Sequence, residues 1–284
     1  MRNIRKVGVI GAGTMGNGIA QACAVAGLPV VMVDISDEAV QRGTKALAGS
    51  LDRLVKKEKL SEDAKAKAIG LVRGSTQYAD LRDCDLVVEA ATENIELKLR
   101  ILRQVEEIVG QDATIATNTS SISITQLAAV LKQPGRFIGM HFFNPVPMMA
   151  LVELIRGLQT DDATHAASAA FAQAIGKTPV TVRNSPGFVV NRILCPMINE
   201  AIFVLQEGLA TAEDIDTGMR LGCNHPIGPL ALADLIGLDT MLAVMNVFYD
   251  GFKDPKYRPA PLLQEMVDAG RLGRKTGRGF YSYS

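Results

Sequence analysis

The sequence predicts an α/β protein: a Rossmann-type, mostly parallel sheet domain over residues 1–185, followed by an all-helical domain over residues 186–284. Three observations predict it. From Lys6 to about Arg183, short apolar runs alternate with amphipathic stretches, the pattern of parallel strands joined by crossover helices. The first run, Val7–Ile10, leads directly into Gly11-Ala12-Gly13-Thr14-Met15-Gly16. After Asn184 the strand-like runs stop and helical periodicity takes over.

Taken in order, the strand candidates are Val7–Ile10, Val30–Val33, Leu86–Glu89, Thr114–Thr117, Phe137–Met140, Leu151–Ile155 and Pro179–Val182. Each is a short run of mainly apolar or β-branched residues bounded by polar or turn-forming ones, as strands buried on both faces require. Helices are expected between them at Asp37–Lys59, Ser61–Val72, Ile95–Val109 and Ala163–Ile175. Ser185-Pro186 reads as a helix start, because proline is favoured at the first helical position, and Val189–Gln206 carries a long apolar periodicity. Gly237–Val247 and Leu262–Ala269 complete the helical domain.

The chain has 284 residues, enough for two ordinary domains with substantial cores. Its formal net charge is zero, so the overall field favours neither nucleic acid nor an anionic membrane surface as a partner. The four cysteines, Cys23, Cys84, Cys195 and Cys223, are widely spaced and form no CxxC pair, as expected of free thiols in a reducing cytoplasm. The basic start, Met1 to Lys6, followed by an uncharged run superficially resembles a signal peptide. Glycines at 8, 11, 13, 16 and 18 break that run, so a cytoplasmic location is expected.

The glycine-rich turn points to a dinucleotide. Gly11 tightens the turn, Gly13 lets the backbone approach a pyrophosphate, and Gly16 lets the helix pack on the strand. The free N–H groups of the following helix then face the phosphates. Asp34, closing the second strand, stands where a carboxylate accepts bonds from the adenosine ribose hydroxyls. A carboxylate there repels a 2′-phosphate, and Ile35-Ser36 offers no arginine to receive one, so NAD is expected over NADP.

Of three histidines, His165 lies on a polar helical segment and His225 in a turn, whereas His141 ends a strand at the sheet edge where open α/β sheets bind ligands. If Phe137–His141 and Leu151–Ile155 are neighbours joined by Pro145-Val146-Pro147, Glu153 reaches the imidazole. A carboxylate on one ring nitrogen fixes the tautomer and stabilises the imidazolium, leaving the other nitrogen to exchange a proton with a substrate. The plainer reading is a core histidine beside an outward-facing glutamate; the dinucleotide turn in the same domain favours the acid–base pair.

Gly11–Gly16, Asp34, Val88–Glu93, Thr117–Ser121, His141–Pro145, Asn184–Arg192 and Lys275–Tyr281 occur in this order. Together they resemble the L-3-hydroxyacyl-CoA dehydrogenases, in particular the short bacterial 3-hydroxybutyryl-CoA dehydrogenases, over essentially the whole chain. The resemblance implies His141 as catalytic histidine with Glu153 as its partner, and Ser120 and Asn191 as hydrogen-bonding the reacting oxygen. It implies Glu93, Lys98, Ser120, Asn144 and Lys275 around the nicotinamide half of NAD, and Ser50 and Lys57 as contacts to the CoA of the substrate. Lys56, Lys57 and Lys59 form a local basic cluster suited to CoA phosphates. A homodimer through the helical domain is also implied.

The expected reaction is reversible oxidation of (3S)-3-hydroxyacyl-CoA to 3-oxoacyl-CoA with NAD, the short-chain pair 3-hydroxybutyryl-CoA and acetoacetyl-CoA being the expected substrates. Two alternatives are a dehydrogenase of a free hydroxy or sugar acid, which would have no use for the lysine cluster, and a non-catalytic dinucleotide-binding structural protein, which would not require His141, Glu153 and Asn191. Met148 and Met149 are candidates for lining an acyl pocket.

Overall fold

The computed structural model of the chain describes residues 3–283. Strands β1 (Val7–Ile10) and β2 (Val30–Val33) are buried at every position, which is why their sequences are continuously apolar rather than alternating. Helix α1 (Thr14–Val25) crosses between them, and the two pair in parallel. Helices α2 (Asp37–Lys56) and α3 (Glu62–Gly70) lead to β3 (Val72–Ser75), which pairs with β2 at the sheet edge.

The chain then returns to the other side of β1 with β4 (Leu86–Glu89), followed by α4 (Ile95–Ile108), β5 (Thr114–Thr117), the short α5 (Ile124–Ala128) and β6 (Phe137–Phe142). Strand β7 (Leu151–Arg156) turns back antiparallel to β6; after α6 (Asp162–Ala174), β8 (Thr178–Arg183) lies parallel to β7. The sheet order is β3-β2-β1-β4-β5-β6-β7-β8. Because β2 and β4 flank β1 on opposite sides, a crevice opens beyond the carboxyl ends of β1 and β4, the place where such sheets take nucleotides.

Local chemistry fixes most helix starts. Ser36, Ser61, Asn94, Ser123 and Asp161 each accept, through a side-chain oxygen, the backbone N–H three residues on, satisfying a donor the first turn cannot use internally. Val9, Ile19, Met32, Val88, Met140, Phe142 and Val152 belong to one buried apolar cluster of this unit. Burying each large apolar side chain contributes about 1.5–3 kcal/mol.

The chain divides into two compact units, Met1–Asn184 and Ser185–Ser284. The second contains α7 (Val190–Gln206), α8 (Ala212–Gly222), α9 (Pro229–Ile236), α10 (Leu238–Phe252) and α11 (Pro261–Asp268) around a core that includes Ile198, Ile202, Leu230, Met245, Phe248 and Leu263. Two buried aspartates organise it. Asp216 accepts the N–H groups of Leu230 and Ala231, capping α9, while Asp234 accepts those of Phe280 and Tyr281 and the Tyr283 hydroxyl. No single helix among the described residues is long and apolar enough to cross a membrane.

Three expectations need correction. Helix α7 begins at Val190 rather than at Ser185-Pro186, because Gly187 (φ +73°) and Phe188 (φ +55°) are both left-handed and interrupt a right-handed helix. The helix expected to reach Val72 ends at Gly70, and Val72 opens β3, a strand the sequence did not reveal. With one apolar residue in Val72-Arg73-Gly74-Ser75, that edge strand carries no period. Helices α5, α8 and α9 were also not anticipated; α5 and α9 are short, and α8 buries only Asp216.

Candidate active site

The turn after β1 requires glycine at two of its positions. Gly11 has φ +98°, and a Cβ there would lie 2.7 Å from the Ala90 carbonyl oxygen. At Gly16 a Cβ would stand 1.8 Å from the Gly11 oxygen, so only glycine lets α1 seat on the turn. Gly13 differs: a Cβ would meet nothing within 4 Å, because its backbone faces an open cleft lined by Thr14, Asn17, Asp34 and Arg42. Helix α1 has no side-chain cap and no acidic residue in its first turn, so its leading N–H groups and positive dipole end suit an anion.

Asp34 closes this cleft from β2. Its Oδ2 accepts the Ala12 N–H at 2.6 Å and its Oδ1 the Ile35 N–H at 2.7 Å, which ties the strand end to the turn. Each carboxylate oxygen can accept more than one hydrogen bond, so ribose hydroxyls remain within its capacity. Open backbone at Gly13, an uncapped helix and a fixed carboxylate together fit the adenosine diphosphate half of a dinucleotide. Ala12 and Met15 back the turn, buried and half-buried respectively. The local sequence Ile35-Ser36 gave no cation here, yet α2 returns Arg42 to the same cleft.

Two acidic groups organise the loops beyond β4 and β5. Glu89, wholly buried, forms an ion pair with Lys98 of α4 and accepts from the Thr117 hydroxyl at 2.7 Å; its other oxygen accepts the Ala91 N–H at 2.9 Å. Lys98 is 1% exposed and also donates to the Thr117 hydroxyl at 3.1 Å, so it joins the ends of β4 and β5 from within the protein. Glu93 bridges the two loops. Its Oε2 accepts the Thr119 hydroxyl at 2.7 Å, and its Oε1 accepts both the Ser120 N–H at 2.9 Å and the Ser120 hydroxyl at 3.1 Å. That last distance is long for a hydroxyl bond, so the Ser120 hydroxyl can swing to another oxygen at small cost.

The loop after β5 is also tied to β6, since Asn118 Oδ1 accepts the Phe142 N–H at 2.8 Å. His141 precedes that residue. It stands directly opposite Glu153 in the antiparallel β6–β7 ladder, and its Nδ1 lies 2.7 Å from Glu153 Oε2. Glu153 is fully buried and His141 6% exposed. The Phe143 ring, with its centroid 4.5 Å from the imidazole centroid, further restricts the histidine. A carboxylate held this way orients the imidazole and favours a proton on Nδ1.

Two family models cover this chain: "3-hydroxyacyl-CoA dehydrogenase, NAD binding domain" matches residues 6–185, and "3-hydroxyacyl-CoA dehydrogenase, C-terminal domain" residues 187–283. The chain belongs to the 3-hydroxyacyl-CoA dehydrogenase family. It is 53% identical to a 3-hydroxybutyryl-CoA dehydrogenase of Bradyrhizobium diazoefficiens, over 99% of this chain and 96% of the relative. A crystal structure of (S)-3-hydroxybutyryl-CoA dehydrogenase from Ralstonia eutropha superposes with a TM-score of 0.97 at 70% identity, covering 99% of this chain and 100% of that one. A probable 3-hydroxybutyryl-CoA dehydrogenase of Deinococcus radiodurans is 52% identical over 98% of this chain and 100% of its own. This family member is thus an NAD-dependent dehydrogenase, and its first unit is the family's NAD-binding domain.

The fold therefore brings together Gly11 to Gly16 with Asp34, Glu93 with Ser120, and His141 with Glu153. Asn144 is exposed at the start of the β6–β7 loop. Ser50 is half-buried on α2, and Lys57 is the exposed residue that caps the end of that helix, flanked by exposed Lys56 and Lys59. In the second unit Asn191 is the second residue of α7, in its first turn, and Lys275 pairs with Asp239 at 2.5 Å. That ion pair holds the Asp239 carboxyl below the usual carboxylate range. Sequence reasoning passed over Glu89, Thr117, Asn118, Thr119 and Arg42. The first four do fall within the two motif stretches at the ends of β4 and β5, and their polarity in otherwise apolar strand ends was the available clue.

Proposed function

We propose that this dehydrogenase interconverts (3S)-3-hydroxyacyl-CoA and 3-oxoacyl-CoA, with the four-carbon pair 3-hydroxybutyryl-CoA and acetoacetyl-CoA as its foremost substrates. The observation that carries the reading is the buried His141–Glu153 pair, 2.7 Å apart at the carboxyl edge of a nucleotide-binding sheet. NAD, when bound, supplies the acceptor or donor of the hydride at C3. The protein's part is the proton. With Nδ1 engaged by Glu153, the Nε2 of His141 takes the hydroxyl proton in oxidation and returns it to the oxygen in reduction. Glu153 offsets the positive charge that develops on the ring.

Ser120, whose hydroxyl is held by Glu93, turns to hold the reacting oxygen. The family resemblance gives Asn191 the same task and gives Asn144, Glu93, Lys98 and Lys275 the nicotinamide half of the cofactor; Lys98 serves it through Glu89 and the loop above. Ser50 and Lys57 are assigned to the CoA, whose phosphates the exposed lysines at 56, 57 and 59 suit. Exposed apolar residues of the helical unit, Ile193, Leu209 and Leu221 among them, support a homodimer through that unit, which light scattering after gel filtration tests. Four free cysteines support a reducing, cytoplasmic setting.

Initial rates of NADH and NADPH oxidation across 3-oxoacyl-CoAs of increasing length, with free acetoacetate alongside, test the substrate assignment. Acetoacetyl-CoA with NADH should turn over fastest. Equal or faster turnover of free acetoacetate would instead mark an enzyme of free oxo acids.

A further inference from the structure

Lys177 is a buried cation that the proposed chemistry does not use. It sits between α6 and β8, 8% exposed, and no ion pair among the described residues includes it. Lysine is rarely so buried unless its charge is answered. Here backbone oxygens answer it: Nζ donates to the carbonyls of Val146 at 2.5 Å and Met149 at 2.8 Å. Burial pushes its pKa down, the mark of an amine held away from water.

Both acceptors lie in the segment 144–150 that joins β6 to β7, so the same segment joins His141 to Glu153. The segment is fastened from other sides as well. Val146 is 2% exposed and presses on α1 at Gly18, where a Cβ would lie 2.9 Å from the Val146 Cβ. The Thr178 N–H donates to Ala150 at 2.7 Å, and the N–H groups of Met148 and Met149 both donate to Pro145. While its backbone is bound, the segment keeps Asn144, Met148 and Met149 exposed.

We propose that Lys177 is a positioning residue, whose ammonium clamps the β6–β7 segment so that Asn144, Met148 and Met149 are presented in fixed register with the imidazole of His141. The kinetic side of this inference rests on His141 as the acid–base group; the mechanical side does not. A clamp sets geometry, and a misplacement of about 1 Å at a reacting centre lowers turnover roughly 10²-fold. The adenosine half of the cofactor is held by the nucleotide turn and Asp34, which Lys177 does not touch, so loss of the clamp should cost NADH affinity only through Asn144 and by less than it costs turnover.

The test uses Lys177→Met, Lys177→Arg and Gly18→Ala in the full-length protein, read by amide hydrogen exchange of segment 144–150, kcat with acetoacetyl-CoA, and NADH affinity. In Lys177→Met, the Met148 and Met149 amides should exchange at least about tenfold faster, with kcat reduced about 10- to 100-fold and NADH affinity within about threefold of wild type. Lys177→Arg should restore part of both losses. Gly18→Ala, which displaces Val146 from the opposite side, should reproduce the faster exchange and the lower kcat and serves if Lys177→Met does not fold; because α1 also carries the nucleotide turn, this variant is read by those two quantities alone. Unchanged exchange in the segment, or kcat within about twofold in Lys177→Met or Gly18→Ala, overturns the proposal, as does a fall in NADH affinity in Lys177→Met as large as its fall in kcat. If His141→Gln stays active while the exchange result holds, the acid–base reading fails and the clamp stands. If exchange is unchanged while His141→Gln is inactive, the clamp fails and the acid–base reading stands.

Discussion

Replacing Glu153 with glutamine keeps the size of the side chain and removes its charge. The carboxylate is fully buried and 2.7 Å from His141 Nδ1, so little water screens it. At an effective dielectric of about 20, unit charges about 4 Å apart attract by about 4 kcal/mol. A transition state with the proton roughly half transferred places about half a charge on the ring, so about 2 kcal/mol of stabilisation is lost, close to 30-fold in rate. The amide adds a second penalty. Its NH2 can donate to Nδ1 and so select the tautomer with the proton on Nε2, which cannot act as a base. The combined expectation is a kcat reduced by about 10²–10³ with NADH affinity unchanged. NAD reduction at saturating 3-hydroxybutyryl-CoA, the direction in which His141 acts as base, beside a fluorescence titration of NADH, measures both quantities. A kcat within about fivefold of wild type would refute the argument that the carboxylate supports the imidazole.

Further predictions concern the turn and the thiols. Gly13→Ala should fold with unaltered thermal stability, because its Cβ meets nothing within 4 Å, yet bind NADH more weakly by occupying the approach to the backbone. Gly16→Ala should lose thermal stability as well as binding, since its Cβ would stand 1.8 Å from the Gly11 oxygen. Asp34→Ala removes the acceptor of the Ala12 N–H, and NADH affinity should fall at least about tenfold in equilibrium titration with no compensating rise in kcat. Burial pushes the Cys23 and Cys195 thiols up to about 12 and Cys84 up to about 11, while Cys223 is exposed. Iodoacetamide at about pH 8 should therefore label Cys223 alone in the native protein, as intact mass will show. Because these three folded-state values are raised, their contribution to stability is whole below the ordinary thiol range and declines as pH climbs through it towards about 12. Denaturant titrations on either side of that range should show the fall.

The sequence exposed what local rules govern. Strands β1, β2, β4 and β5 are short apolar or β-branched runs between turn formers, and the bounds read from them coincide with those in the structure. The His141–Glu153 contact was also legible, because two strands joined by a short loop tend to pair and their ladder sets the two residues opposite. Edge strand β3 was not, since its exposed residues are free of any apolar period. Partnerships that depend on strand order were equally hidden: Glu93 reaches Ser120, and Glu89 reaches Lys98 and Thr117, only because β4 and β5 lie side by side. The burial of Lys98 and its ion pair with Glu89 were hidden too, because a lysine on a helix is ordinarily solvated. Lys177 and Arg42 gave no hint in sequence, as a lysine in a helix-to-strand connection and an arginine on a helix face are ordinarily solvated.

The proton-transfer role of His141 is tested most directly by His141→Gln, with single-turnover reduction of acetoacetyl-CoA and NADH binding measured on the same preparation. The account predicts NADH affinity within about twofold of wild type and a chemical step slowed by about 10²–10⁴. A chemical step at near-normal rate would contradict it, whatever the affinity proves to be.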